Sequence, residues 1–152
     1  MNKMKKKFVF LIMLSILLCS IIISAGAVEQ IYQETEIIYT EFGVIEKVSV
    51  MTVHNSPIRS NTRFVDVSDT YKYNGKVIGE VTLSVTFGYD GNKAWVSSAS
   101  GSHTTYDGWS YGSEDIKKSG GTASLTAKLS HLLYRDLSVN ISITCSPTGQ
   151  VS

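Results

Sequence analysis

Apolar and polar residues alternate through most of the chain after residue 43. In "KVIGEVTLSVTFGY" (76–89), Val77, Val81, Leu83, Val85 and Phe87 share one face with Gly79 between them, and Glu80, Thr82, Ser84 and Thr86 share the other. Successive side chains of a strand point to opposite faces, so this pattern predicts a long strand buried on one side. "TASLTAKLS" repeats it with Ala123, Leu125, Ala127 and Leu129 inward, and "LSVNISITCS" with Leu137, Val139, Ile141, Ile143 and Cys145 inward. Helix competes for the Ala/Leu segment, but its interleaved Thr and Ser and the preceding Gly120-Gly121 favour strand.

Further strands are predicted in "GVIEKVSVMTV", "RFVDVSDTYKY" and "KAWVSSAS". Asn74-Gly75 and Asp90-Gly91-Asn92 separate consecutive runs with residues that tolerate positive φ, which makes the flanking strands antiparallel neighbours. His54-Asn55-Ser56-Pro57 breaks the upstream strand. "VEQIYQETEIIYTEF" (28–42) fits an extended arm, a first strand or a short amphipathic helix. The predicted fold is all-β, an antiparallel β-sandwich of about seven strands whose spacing admits an immunoglobulin-like arrangement. The Cys…Trp…Cys pattern of antibody domains is missing from it.

The first residues change the picture. "MNKMKKK" is a cationic start, "FVFLIMLSILLCSIIIS" an apolar run, and Ala25-Gly26-Ala27 an A-x-A site. Together they read as a secretory signal peptide over 1–27, cleaved after Ala27, in preference to a retained membrane anchor. Leu18 before Cys19 argues against lipidation. The expected organisation is a leader (1–27), an N-terminal arm or first strands (28–60) and the sandwich body (61–152), with 28–152 forming one domain. The expected location is extracellular, without stable membrane insertion after cleavage.

Cleavage removes four lysines and leaves 10 basic against 13 acidic residues, a net charge of −3. The remaining basic residues are scattered, so the footprint of a nucleic-acid binder is missing. Cys145 is the one cysteine after residue 27, so the domain must be held by packing without an internal disulfide. About 125 residues bury roughly two-thirds of their unfolded surface, enough for a core of that kind.

The runs "YKYNGKVIGEVTLSVTFGYDGNKAWVSS", "DGWSYGS", "ASLTAKL" and "VNISITCSPTGQVS" resemble small secreted β-rich proteins of low-GC Gram-positive bacteria. The resemblance spans most of the chain after Thr70 and implies secretion, but it brings no activity and no site residues.

Candidate chemistry is sparse. His54, His103 and His131 lie outside any G-x-S-x-G elbow and read as solvent-facing or strand-end residues; Cys145 reads as core filler because it continues an inward register. No Cys/His cluster has zinc spacing, and neither "DVSD" nor "DGN" completes a calcium loop. Asp66 and Asp69 read as strand-surface charges and Asp90 as turn chemistry. No cofactor or metal is expected, and no catalytic residue is assigned.

One stretch remains, "SGSHTTYDGWSYGSED" (100–115). Tyr, Trp, Ser and Gly make adaptable binding loops, and aromatic faces suit sugar rings. His103, Tyr106, Trp109 and Tyr111 are therefore candidate ligand-binding residues, with Trp109 and Tyr111 on one face if the chain is extended there. The competing architectural reading has Trp109 cover the open end of the sandwich. Trp95, just after a turn in a half-buried strand, reads as core under both. The expected function is a secreted, non-catalytic binding module for a glycan or protein at a cell surface; a secreted antimicrobial or toxin-like protein is the alternative, and a small hydrolase is less favoured. If the leader is processed as predicted, mass spectrometry of culture medium will find a chain starting at or next to Val28; recovery of full-length, membrane-bound protein alone would contradict it.

Overall fold

A computed structural model describes residues 30–54 and 61–152, so the predicted leader, its cleavage site and the break at 55–57 lie outside the described residues. Eight strands follow in order: β1 (Gln30–Thr40), β2 (Gly43–His54), β3 (Thr62–Tyr73), β4 (Lys76–Tyr89), β5 (Ala94–Thr105), β6 (Ser110–Ser119), β7 (Thr122–His131) and β8 (Tyr134–Thr144). The 28–42 segment thus resolves as a strand from Gln30 on. The strands form two antiparallel sheets, β1-β2-β3-β4-β5 and β6-β7-β8. Every strand pairs with its neighbour in sequence except β5 and β6, between which the chain changes sheets. This is an up-and-down meander on each side, distinct from the Greek-key connections of immunoglobulin-like sandwiches.

Turn chemistry explains the meander. Asn74 and Gly75 both have positive φ (50° and 76°), the geometry of a two-residue hairpin whose twist matches its strands. At the β4–β5 turn the Asp90 carboxylate accepts the N–H groups of Asn92 and Lys93 (2.9 and 2.8 Å), which holds its pKa below the usual carboxylate value.

The core lies where the two sheets overlap. β5 faces β6 and β7, β4 faces β7, and β3 faces β8. The predicted inward residues of β7 and β8 are all buried, Cys145 included, and desolvation pushes the Cys145 thiol pKa up. On β4, Val81, Leu83, Val85 and Phe87 are buried as predicted. Val77 is not among them; Ile78 takes its place at 2% exposure. The register explains the exchange: Tyr71 pairs with Gly79 and Lys72 with Val77, leaving Ile78 as the extra residue of a bulge that reverses the face on which it points.

A second correction concerns Asp69, which is 2% exposed instead of lying on the surface. It shares the inward phase of Val65, Val67 and Tyr71 on β3, and its carboxylate is held by the Lys47 ammonium of β2 (3.1 Å) and the Tyr71 hydroxyl (3.3 Å). Burial and the adjacent Asp69 charge push the Tyr71 phenol pKa well up. The bulge makes a clean prediction. Ile78→Ala will cost ~2–5 kcal/mol of stability, as for other buried large-to-small changes, and Val77→Ala well under half of that, measured by denaturant unfolding; equal costs would mean that the register continues unbroken.

Candidate functional site

The first, third, fifth and seventh connections of the chain all reach one end of the sandwich. This apex gathers the β1–β2 turn (Glu41-Phe42), the β3–β4 turn (Asn74-Gly75), the β5–β6 crossover (Tyr106 to Trp109) and the β7–β8 turn (Leu132-Leu133). Most of the predicted aromatic stretch therefore belongs to the apex and to the seam just below it.

Trp109 is 6% exposed and forms the foundation of the apex. Its ring stacks on Tyr134 (5.9 Å, 16°) and lies beside Phe42 (6.1 Å) and His131 (5.3 Å). Tyr73 closes the group against Phe42 and Tyr134 at 5.8 and 5.5 Å, donating its hydroxyl to the Phe42 carbonyl. The crossover makes this burial possible: Asp107 and Gly108 both take positive φ (52° and 80°), and the Trp109 N–H returns to the Tyr106 carbonyl at 3.0 Å. The chain turns sharply enough for the indole to drop into the open end. The architectural reading of Trp109 holds in the structure.

The other three candidates are accessible and divide into two places. Tyr106 is 42% exposed at the apex and its hydroxyl donates to Glu80 (3.2 Å), whose charge raises the phenol pKa. His103 and Tyr111 meet at the seam between the sheets, stacked at 3.8 Å and 16°. Tyr111 donates to Glu114 at 2.6 Å, and burial and that bond raise its pKa. Glu114 reaches it because β6 bulges between Gly112 and Asp115, with Ser113 at φ 55°. Trp109 and Tyr111 thus do not form one stacking platform: the first ring is engaged at the apex, the second by His103.

Trp95 reverses its expected role. It is 41% exposed and lies over Gly88, its cross-strand partner, where a Cβ would fall 2.4 Å from the indole. An aromatic ring covering a strand glycine from the neighbouring strand is a known device for shielding its backbone.

The residues that the sequence reading missed are Leu132 and Leu133. They form the tip of the β7–β8 hairpin and are 100% and 80% exposed. Hairpin turns favour Gly, Asn and Asp, and neither leucine takes the positive φ that would constrain its choice. The tip is nonetheless well supported: the Leu133 N–H donates to His131 Nδ1 (3.1 Å), the His131 ring lies against Tyr134 (4.7 Å), and Arg135 pairs with Glu41 of the opposite sheet (3.1 Å). A Leu-Leu pair outside any period-two run was a legible signal, hidden because it joins two strongly patterned strands.

No protein-family model, curated protein or solved structure matches this chain.

One further polar group joins β2, β3 and β4. His54 Nε2 lies 2.9 Å from Asp66, and Ser84 donates to the same carboxylate. Both groups bind the Asp66 carboxylate, which ties the three strands together on this face. Among the described residues no three His, Cys, Asp or Glu side chains converge as a metal site.

The two tryptophans now predict opposite outcomes. Trp109→Ala will cost ~3–5 kcal/mol of folding stability, the usual range for truncating a buried aromatic. Trp95→Ala will cost about 1 kcal/mol, the scale of a cross-strand pair on an exposed face. Thermal or urea unfolding of both variants tests the assignment, and a Trp109 variant that melts like wild type would return Trp109 to the surface.

Proposed function

We propose that this protein is a secreted, non-catalytic interaction module that binds its target through the apex. The observation that carries this reading is the Leu132-Leu133 tip: two leucines at 100% and 80% exposure, on a turn whose conformation does not demand them and whose position is fixed from below by packed rings. Exposing apolar side chains at a rigid tip has a cost in solubility and no return in folding; it is repaid when a partner covers them. Burying one leucine contributes ~1.5–3 kcal/mol, and a preorganised tip loses little entropy on docking. Leucine side chains offer no hydrogen bonds to sugar hydroxyls, so within the expected glycan-or-protein class the tip favours a protein at the cell surface that presents an apolar pocket. Tyr106, Tyr39 (68% exposed) and the paired Arg135 and Glu41 supply a mixed rim to such a contact.

A second reading uses the same tip. In a secreted toxin-like protein, Leu132 and Leu133 enter the interfacial layer of a target bilayer. Binding of the protein to intact cells, protease-shaved cells and zwitterionic or anionic vesicles separates the two. The interaction-module reading expects retention on intact cells, loss after shaving, and no vesicle binding. The double variant Leu132→Ser/Leu133→Ser will lose at least tenfold in cell binding while its stability stays within ~0.5 kcal/mol of wild type, as for surface substitutions. Unchanged cell binding by the double variant would overturn the apex as the contact; vesicle binding abolished by it would establish the bilayer reading.

A further inference from the structure

The two sheets differ in width, and the difference leaves an edge uncovered. β3 lies over β8, so β1 and β2 project beyond the three-stranded sheet and roof a cleft of about 330 Å³ beside the free edge of β8. Tyr32 and Glu34 of β1, Lys47, Ser49 and Met51 of β2, and Asp69 of β3 face it across from Asn140 and Ser142.

The β8 edge is built unlike the others. Exposed edges are normally guarded by bulges, prolines or charges, because a regular edge is a template for another strand. The β5 edge strand has a bulge at Ser97, the β6 edge strand has the Gly112–Asp115 bulge and Lys117 and Lys118, and β1 points Glu34 and Glu36 inward. From Leu137 to Thr144, β8 has no proline, no charge and no break in register. Its ladder alternates: the Cys145 N–H points to β7, donating to Gly121, so those of Thr144, Ser142, Asn140 and Ser138 point outward. Thr144 already uses its outward groups, exchanging two bonds with Ser152 (2.9 and 3.0 Å) where residues 150–152 fold back beside the strand. Among the described residues no backbone bond reaches the outward groups of Ser142, Asn140 or Ser138.

We propose that this edge is a second docking site, independent of the apex, which takes one extended cation-bearing peptide strand of a partner protein by β-addition. Main-chain bonds to Ser138, Asn140 and Ser142, spaced over about 13 Å, supply the pairing. The roof selects the side chains that point up. Toward Met51 and Val67 it is apolar; toward Lys47 it holds three carboxylates, Glu34, Glu36 and Asp69, against one ammonium. Arg63, among the described residues, lies beside the folded-back tail with its guanidinium on the Gly149 carbonyl. A strand with aliphatic residues followed by Lys or Arg on its inward face matches that order. A second copy of this chain does not fit: pairing β8 with β8 would drive the projecting β1 and β2 of each molecule into the five-stranded sheet of the other. The overhang admits a lone strand and refuses another sandwich.

The test uses the protein expressed from the full chain and an octapeptide with threonine on one face and valine, valine, lysine, lysine on the other, made in both sequence orders. At saturating peptide, hydrogen exchange of the Ser138, Asn140 and Ser142 amides will slow at least tenfold for one order. Replacing both lysines by glutamate will weaken binding at least tenfold. N-methylation of the alternate peptide nitrogens that face β8 will abolish binding, while methylation of the other set will leave it within threefold. The Leu132→Ser/Leu133→Ser variant will bind the peptide like wild type, so failure of the apex reading leaves this site standing. Exchange at those three amides that is unchanged by both peptides, or equal binding by the two methylated sets, would overturn the proposal, as would a β8-mediated dimer in solution.

Discussion

The constraint from which the rest of this structure follows is that a sheet of five strands is packed against a sheet of three, with about 10 Å between facing layers. Three strands cannot cover five, and full burial falls on β3 and β4, while β1, β2 and the edge strand β5 stay largely outside it. The burial pattern follows that boundary closely. β4, β7 and β8 have fully buried alternate residues, whereas β2 is half-buried along most of its length and β1 is largely exposed. Asp69 has the inward phase of the core strands and meets the ammonium of Lys47 from β2, the first strand beyond the overlap. A buried carboxylate without Lys47 and Tyr71 would be heavily penalised, and with them it marks where the apolar interior ends.

This geometry also explains what the sequence could and could not disclose. Alternation alone located β4, β7 and β8 and the inward set of the last two, because both faces of those strands meet constant environments and any slip of one residue would exchange core for solvent. The same logic failed at Val77. A bulge adds one residue and reverses phase without any local compositional mark, so Ile78 and Val77 exchanged places unseen. It failed at Asp69 because its partner, Lys47, comes from a different strand, and a single carboxylate in an alternating run looks the same whether its face is covered or wet. Trp95 was misassigned, and Trp109 was left between two readings, for a related reason. Trp109 owes its burial to the positive φ of Asp107 and Gly108, which fold the crossover inward, and Trp95 owes its exposure to Gly88 opposite, which lets a ring lie flat on the outer surface. Of the four residues singled out in the aromatic stretch, the structure brings together His103 and Tyr111 and sends Tyr106 and Trp109 elsewhere.

The two ends of the sandwich solve the same problem with different materials. At the base, backbone does most of the closing: residues 146–150 form a tight turn with Gly149 at positive φ under the Tyr89 ring, the Gly91 N–H reaches Pro147, and Arg63 grips Gly149. Hydrogen bonds of this kind are satisfied locally and leave little apolar surface. At the apex the closing is done by rings: Phe42, Tyr73, Trp109, His131 and Tyr134 come from the first, third, fifth and seventh connections and their adjoining strands, and pack into one cluster. Rings cover a large opening with few residues, but they also create an apolar platform whose outer surface is defined by whatever the turns place upon it.

That difference accounts for where exposed apolar surface can be afforded. Leucines placed on a loosely held loop would collapse onto the nearest apolar surface and lose their reach. At the β7–β8 tip such collapse is blocked, because the space beneath is already filled by Trp109 and Tyr134 and the turn is tied down through His131 Nδ1. The burial of Trp109 and the exposure of Leu132 and Leu133 are therefore one arrangement. The indole that looked from the sequence like a contact residue serves by occupying the interior, and in doing so it holds outward the two residues that the sequence reading passed over.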